Sequence, residues 1–150
     1  MHVYRICLAR WADALSASGQ AARWNSKGKL VIYTAANRAL SCLENVLFRS
    51  GEGPMKAFRV LTIEIPDDVP VEIFDETRLP EHWVSFQEVD GTQAFGDEWL
   101  RSGRTAVLKI PSALLPYEFN FLINPNHEDF ARIRLLGSEP FAFAPGLRTG

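Results

Sequence analysis

Residues 22–35 read ARWNSKGKLVIYTA, a polar turn followed directly by an apolar strand. Residues 26–28 form a turn-forming cluster, and residues 30–34 have the composition of a short buried strand. Arg23 and Trp24 precede the turn, and Tyr33 lies near the end of the strand. A hairpin requires only the glycine and the apolar run, so these three side chains are candidates for a binding function.

A helix is predicted directly after this strand. Asn37 is a suitable N-cap, the helix runs to about residue 50, and Gly51, Gly53 and Pro54 follow it. Glycine and proline at such positions typically end a helix. A second, shorter helix is predicted at residues 96–102. Short segments rich in apolar residues predict strands at 3–9, 30–34, 58–65, 71–74, 106–110, 119–123 and 132–136, and the strand at 58–65 shows alternation in Leu61, Ile63 and Ile65.

The length and composition fit one globular domain. The chain has 150 residues, of which 47% are hydrophobic and 23% are charged, and these values are ordinary for a single domain. No internal repeat or low-complexity linker divides the chain. Together with the mixture of strands and helices, this predicts a single α+β domain spanning residues 1–150.

Charge and hydropathy argue against two classes of partner. Sixteen basic and eighteen acidic residues give a net charge of −2, and the arginines are scattered, so the basic stripe of a nucleic-acid binder is absent. No apolar run approaches the roughly 20 residues of a membrane span. Arginines also interrupt the N-terminal segment where a signal peptide would have its apolar core. We expect a cytoplasmic protein that binds neither nucleic acid nor membrane directly.

Several common catalytic arrangements are absent from the sequence. The three histidines lie far apart without metal-ligand spacing, so no metal site is predicted. The glycines at 51 and 53 follow a helix and lack the third glycine of a dinucleotide fingerprint. Ser112, in the segment IPSAL, lacks the flanking glycines of a nucleophile elbow. These features argue against metal-dependent hydrolysis, Rossmann redox chemistry and serine hydrolysis.

The first predicted helix carries one acidic residue in its apolar stripe. The stripe is expected at positions i, i+3 and i+7, which are Leu40, Leu43 and Leu47. The solvated face is expected to hold Arg38, Asn45 and Arg49. Glu44 occupies position i+4 of the apolar face, where an unpartnered charge costs several kcal/mol. Glu44 therefore lies either at the edge of the core, its stem covering apolar surface, or at an opening against a donor.

The polar and aromatic residues of the opening stretch suit a particular ligand chemistry. The planar donor fork of Arg23 matches a phosphate, and the face of Tyr33 or Trp24 suits a planar, positively charged ring. The alternative is a surface arginine beside two aromatic residues at the edge of the core. Ser112 and Asn124 form a second polar cluster near strand ends, where turn or cap roles are the alternative to ligand binding.

Five ordered segments of the chain resemble one known family. ARWNSKG…VIYTA, LSCLENVLF, TQAFGDEWL, LKIPSALLP and NFLINPNHEDFARI together extend over nearly the whole chain. The chain is similar to the RES-domain toxins of bacterial toxin–antitoxin pairs, a family named for an arginine, a glutamate and a serine. By this resemblance those residues are Arg23, Glu44 and Ser112. A tyrosine that family members also use falls on Tyr33, and Asn124 is a further candidate for binding.

The resemblance also implies a fold, a substrate and a partner. Family members resemble ADP-ribosyltransferases, so a mixed, split β-sheet core is expected. They consume NAD+ as a substrate, and no metal is expected. The implied partner is a cognate antitoxin with an Xre-type helix-turn-helix domain, which occludes the active site. One departure from the family is Ala22, where members usually have a glycine, and this affects how closely the backbone approaches a ligand there.

For cleavage of NAD+, the resemblance suggests a role for each candidate residue. Glu44 would stabilise the positive charge that develops on the ribose or orient its hydroxyls. Arg23 would clamp the pyrophosphate, Tyr33 would stack against the nicotinamide, and Ser112 would hydrogen-bond the ribose or the carboxamide. The ADP-ribose would pass to water, to phosphate, or to a protein acceptor in mono-ADP-ribosyl transfer. A non-enzymatic partner-binding module and a nucleoside or nucleotide hydrolase stay open as alternatives.

Overall fold

A computed structural model describes residues 1–48, 57–85 and 89–142, apart from the side chains of residues 46–48. Its framework is a mixed seven-stranded sheet with two α-helices, which confirms the predicted α+β class. The strands are β1 His2–Leu8, β2 Ile32–Ala35, β3 Phe58–Glu64, β4 Val71–Ile73, β5 Val107–Pro111, β6 Phe119–Ile123 and β7 Arg134–Phe141. The helices are α1 Arg38–Phe48 and α2 Val89–Ser102.

The strand order in the sheet is β4-β5-β6-β2-β1-β3-β7. The pairing between β2 and β1, in the middle of this order, is the shortest. Only β4 and β5 run parallel, and the other neighbours are antiparallel. β1 pairs with β3 along its whole length, whereas the register that joins β1 to β2 consists of Tyr4 opposite Ala35. The expected split core therefore takes the form of one sheet whose two halves separate beyond this pair.

Two clusters of buried side chains pack on opposite faces of the sheet. In β6, Phe121 and Ile123 belong to the first cluster and Leu122 to the second, as expected because successive strand residues point to opposite faces. The first cluster also contains Val3, Cys7, Ile32, Leu61 and Ile63. The second contains Trp24, Val31, Phe74, Trp99, Leu108 and Ile110. Trp99 lies in α2, so this helix packs on the second face.

Two strands differ from their predicted bounds by two residues or more. β2 begins at Ile32 instead of residue 30, and Leu30 is exposed. The prediction of a strand at 132–136 is wrong at both ends, because residues Glu128–Arg132 form a 3₁₀-helix and the strand is Arg134–Phe141. This longer strand pairs with β3 over its whole length, and a pairing between distant segments leaves no local signal in the sequence.

The second helix is twice as long as predicted. It begins at Val89 and not at residue 96, and it ends at Ser102 as expected. Gly91 and Thr92 in its first half are weak helix formers, so propensity alone does not predict a helix there. Side-chain contacts with residues 22–26 hold this half of α2, as described below.

The face of α1 that was predicted to be solvated differs from the prediction at one residue. Arg38 is exposed as predicted, and its guanidinium pairs with Glu139 in β7 at 2.8 Å. Asn45 was predicted to face solvent, but it is half-buried, and its Nδ2 donates to the carbonyl of Ile6 at 3.1 Å. This bond ties α1 to β1. Arg49 and the predicted helix-ending residues 51–54 lie outside the described residues.

Candidate active site

A cavity of about 310 Å³ opens where β1 and β2 separate. Its lining combines aromatic, charged and apolar side chains from the turn before β2, from α1 and from strands on both sides of the separation. The residues that matter for its chemistry are Tyr4, Arg23, Tyr33, Glu44, Ile110 and Asn120. The structure therefore brings together Arg23, Tyr33 and Glu44, three residues selected from the sequence.

Glu44 lies half-buried in this cavity and is held by two neutral donors. Leu40, one turn earlier in α1, is buried, so this face of the helix points inward. Oε1 of Glu44 accepts a hydrogen bond from Oγ of Ser112 at 3.0 Å and from Nδ2 of Asn120 at 2.7 Å. Neither of these two donors carries a charge, so the hydrogen bonds fix the carboxylate without forming an ion pair.

Ser112 supports Glu44 and does not line the cavity itself. It is buried just after β5, and its hydroxyl donates to Glu44 while accepting from the backbone amides of Leu114 at 3.1 Å and Leu115 at 3.2 Å. One proton and two lone pairs are all that a hydroxyl offers. The hydroxyl is therefore fully used within the protein, which differs from the expected contact with ribose or carboxamide.

The guanidinium of Arg23 binds a row of backbone carbonyls. Nη1 donates to the carbonyl of Trp83 at 2.8 Å and of Ser85 at 3.4 Å, and Nη2 donates to that of Val84 at 3.2 Å. Burial lowers the pKa of Arg23, while the negative charge of Glu44 acts in the opposite direction. Arginine stays protonated under such conditions, so these carbonyls hold a cation at the wall of the cavity.

The hydroxyl of Tyr33 is fixed by the turn that precedes its own strand. It donates to Oδ1 of Asn25 at 2.6 Å and accepts from the amide of Trp24 at 3.1 Å. Burial raises the pKa of Tyr33 well above its ordinary value, so the phenol stays neutral. The hydroxyl is thus a structural donor, and the ring is the part of Tyr33 that a ligand in the cavity can contact.

Buried Asn25 holds this turn in shape. Its Nδ2 donates to the carbonyls of Gln20 at 2.9 Å, Lys29 at 3.1 Å and Ser26 at 3.3 Å. These three bonds close the polar loop on itself, and the bond from Tyr33 anchors the loop to β2. The asparagine of the opening stretch therefore positions Arg23 and Tyr33 relative to each other.

Helix α2 clamps the same turn from outside. Asp97 accepts from the amide of Ser26 at 3.0 Å and from its hydroxyl at 2.5 Å. The hydroxyl of Thr92 donates to the carbonyl of Arg23 at 2.5 Å, and Gln93 donates to that of Ala22 at 2.8 Å. The segment TQAFGD thus fixes the backbone on which Arg23 is carried.

Asn124 lies away from the other candidate residues. It is buried after β6, where its amide donates to the carbonyl of Ala106 at 2.8 Å and its Oδ1 accepts from the amide of Asn126 at 3.0 Å. It borders a separate depression of about 600 Å³ that also includes Lys29 and His127. Asn124 therefore has the turn role that was its alternative, and the structure does not bring it to the cavity.

Asn120 was missed at the sequence level. It lies inside β6, between the apolar residues Phe119 and Phe121, and its side chain lines the cavity and contacts Glu44. The available signal is weak: a polar residue interrupts an apolar strand, at a position that shares a face with buried Leu122.

Two further properties concern metals and membranes. Within residues 1–48, 57–85 and 89–142, no group of three or more His, Cys, Asp or Glu side chains is arranged to hold a metal ion. Over the same part of the chain, neither helix has the length and apolar character required to cross a bilayer.

Comparison with known proteins identifies the family. The family model described as RES domain matches residues 2–144. The chain belongs to the RES domain family. A protein of Sphingobium sp. (strain YBL2) named "Prs ADP-ribosylating toxin" is 40% identical over 129 residues, 82% of this chain and 80% of that protein.

Two relatives bear the name "Toxin Res". The one from Yersinia enterocolitica is 32% identical over 154 residues, which cover 99% of this chain and 100% of the relative. The one from Photorhabdus laumondii is 30% identical over 134 residues, 87% of this chain and 85% of the relative. Of the three residues at which the resemblance placed the arginine, glutamate and serine of the family name, Arg23 and Glu44 line the cavity, and Ser112 donates a hydrogen bond to Glu44.

Proposed function

We propose that this RES domain is a toxin that binds NAD+ in the cavity and breaks the bond between nicotinamide and ribose. The observation that carries the proposal is the half-buried carboxylate of Glu44, held by two neutral donors in the same cavity as Arg23 and Tyr33. The names of the relatives, "Toxin Res" and "Prs ADP-ribosylating toxin", support both the toxic role and the use of NAD+.

One carboxylate is sufficient for this reaction. The bond from C1′ of the ribose to the ring nitrogen breaks, its electron pair goes to nicotinamide, and the cationic ring leaves as a neutral molecule. The ribose acquires oxocarbenium character, as in glycoside hydrolysis, but the leaving group requires no second carboxyl group to protonate it. A carboxylate such as Glu44, preorganised beside the ribose, lowers the barrier by a few kcal/mol, roughly 10²–10³ in rate.

Arg23 and Tyr33 are assigned to binding. The positive charge of Arg23, at the wall of the cavity, attracts the negatively charged pyrophosphate. The ring of Tyr33 provides an aromatic face for the positively charged nicotinamide, an attraction that disappears when the ring becomes neutral. Loss of this attraction on cleavage favours departure of the product. The proposal gives Tyr33 no part in proton transfer, because its hydroxyl is held by Asn25 and Trp24.

The acceptor of the ADP-ribose defines the reaction type. Water gives hydrolysis, phosphate gives phosphorolysis, and a protein side chain gives mono-ADP-ribosylation; in each case the acceptor bonds to C1′ and releases a proton. Protein modification is the second candidate function, and the name of the Sphingobium relative favours it. All three reactions share the same first bond cleavage and the same three cavity residues.

Product analysis from NAD+ tests the proposal and separates the acceptors. Purified protein is incubated with NAD+ alone, with inorganic phosphate, and with cell lysate plus NAD+ labelled in the adenylate portion. Release of nicotinamide in any arm supports NAD+ cleavage, and a labelled protein band identifies transfer. Absence of nicotinamide release in all three arms would refute the proposal and favour the non-enzymatic binding module.

A toxin that consumes NAD+ would harm its own host unless a partner protein neutralised it. We infer that a cognate antitoxin of the Xre helix-turn-helix type covers the mouth of the cavity. The loop between β5 and β6 provides apolar contact area near Ser112, because Leu115 is 43% exposed and Tyr117 is 97% exposed. Co-expression with the protein encoded beside the toxin gene is expected to yield a complex that no longer consumes NAD+. A complex with undiminished activity would contradict occlusion.

A further inference from the structure

Asn120 is a cavity residue whose position is fixed on both sides by strand pairing. Its backbone lies opposite Ala35 of β2 and Ile110 of β5, in the middle of the half-sheet that carries Tyr33. The side chain therefore extends from the most constrained part of this half-sheet. Its Nδ2 makes the shorter of the two hydrogen bonds to Glu44, at 2.7 Å against 3.0 Å from Ser112.

Both donors converge on the same oxygen of Glu44. Ser112 follows the end of β5 and Asn120 lies in β6, yet each donates to Oε1. No hydrogen bond from the described residues reaches Oε2. Two donors from neighbouring strands thus fix the rotation of the carboxylate and leave its second oxygen available to a ligand.

The amide oxygen of Asn120 indicates what sets the orientation of this side chain. Oδ1 of Asn120 is buried, and no described residue donates a hydrogen bond to it. A buried acceptor without a partner is unfavourable. Reversing the amide would instead place Oδ1 against the carboxylate of Glu44, two acceptors in contact. The contact with Glu44 therefore outweighs the unsatisfied oxygen and sets the direction of the amide.

We infer that Asn120 is a positioning residue for Glu44, which holds Oε1 so that Oε2 faces the ribose of bound NAD+. This inference rests on the proposed function for the identity of the ligand. The contact between the two side chains does not depend on that function. In this role Asn120 acts on the rate of bond cleavage through Glu44 and contributes little to the affinity for NAD+.

A double-mutant cycle tests this role. Asn120→Ala, Glu44→Ala and the double variant are compared with the wild-type protein for kcat and KM with NAD+. Asn120→Ala is expected to lower kcat roughly 10-fold or more, with KM changed less than about threefold. In the Glu44→Ala background the same change is expected to alter kcat by less than about threefold, because residues that act as a unit are non-additive. Asn126→Ala, at an exposed asparagine, is the matched control and keeps the wild-type kcat.

Two kinetic outcomes would contradict the inference. An equal loss of kcat in both backgrounds would show that Asn120 acts independently of Glu44, and an effect confined to KM would make it a binding residue. If Asn120→Ala does not fold, Asn120→Leu keeps the branching of the side chain at Cγ, removes the donor and gives the same comparison. The unfolding equilibrium constants of the four proteins form a second cycle, expected to show coupling of roughly threefold or more. Absence of that coupling refutes the contact itself, whereas inactivity of the wild-type protein toward NAD+ refutes only the proposed function.

Discussion

Gly96 of α2 lies directly against the carbonyl group of Trp24: a Cβ atom at position 96 would be 1.6 Å from the Trp24 oxygen and 2.7 Å from its carbonyl carbon. The helix therefore approaches the turn before β2 as closely as two backbones permit, and no larger residue fits between them. Because Arg23 is adjacent to Trp24, this contact, with the bonds from Thr92 and Asp97, determines where the guanidinium lies.

Replacement of Gly96 is expected to separate α2 from this turn. Gly96→Ala should lower the free energy of unfolding by about 2 kcal/mol or more, because backbone atoms must move to relieve the overlap. Gly91→Ala in the same helix is the matched control, since a Cβ there meets no atom within 4 Å. The control should be neutral or stabilising by up to about 1 kcal/mol. Chemical denaturation of both variants measures the difference, and equal stability would contradict the close contact.

The hydroxyl of Tyr33 is expected to contribute to stability more than to catalysis. Tyr33→Phe leaves Oδ1 of Asn25 and the amide of Trp24 without their partner, which should cost about 1–3 kcal/mol in the free energy of unfolding at pH 7. The ring is kept, so kcat/KM for NAD+ should fall far less than in Tyr33→Leu. Equal activities of the Phe and Leu variants would remove the ring from the proposed binding site.

The same substitution gives a pH dependence. Burial raises the pKa of Tyr33 in the folded protein, so the unfolded chain loses the phenolic proton first. The stabilisation of the fold by the neutral phenol of Tyr33 is present below pH 10, about the pKa of tyrosine in the unfolded chain. It decreases as the pH rises above that value. The stability difference between wild type and Tyr33→Phe should therefore narrow between about pH 9 and 11. The control is Tyr117→Phe at a 97% exposed residue, for which the difference from wild type should stay near zero at neutral pH.

Arg23 is expected to serve both the ligand and the segment 83–85. Arg23→Lys keeps the charge but loses the planar fork that binds the carbonyls of Trp83 and Val84. KM for NAD+ should rise about 10-fold or more, and amide hydrogen exchange around residues 83–85 should become faster. Arg101→Lys, at an exposed arginine of α2, should change neither quantity. An unchanged KM for Arg23→Lys would take the guanidinium out of the binding site.

The strands with strong local patterns were predictable from the sequence. β6 has its predicted bounds, β3 ends one residue earlier than predicted, and β1 is shifted by one residue at both ends. The agreement is close because apolar runs between turn residues define these strands. Other elements depend on distant partners. β7 extends to Phe141 because it pairs with β3, and α2 begins early because its first half contacts residues 22–26.

The candidate site was predictable only in part, for a similar reason. Glu44 stands out because a carboxylate interrupts a helical apolar stripe, a signal contained within one element. Asn120 is 76 residues away from it in sequence, and no spacing rule relates a strand asparagine to a helix glutamate. The bonds of Ser112 to neighbouring amides and to Glu44, and the turn role of Asn124, likewise depend on the folded structure and leave no signal in the sequence.

The rate of nicotinamide release from NAD+ by Glu44→Gln tests the central claim most directly. Glutamine keeps the shape of the side chain and removes its charge, so binding of NAD+ should persist while kcat falls roughly 10²–10³-fold. Glu76→Gln, at an exposed glutamate outside the cavity, should keep the wild-type rate. A folded Glu44→Gln protein that releases nicotinamide within about tenfold of the wild-type rate would contradict the electrostatic role of Glu44.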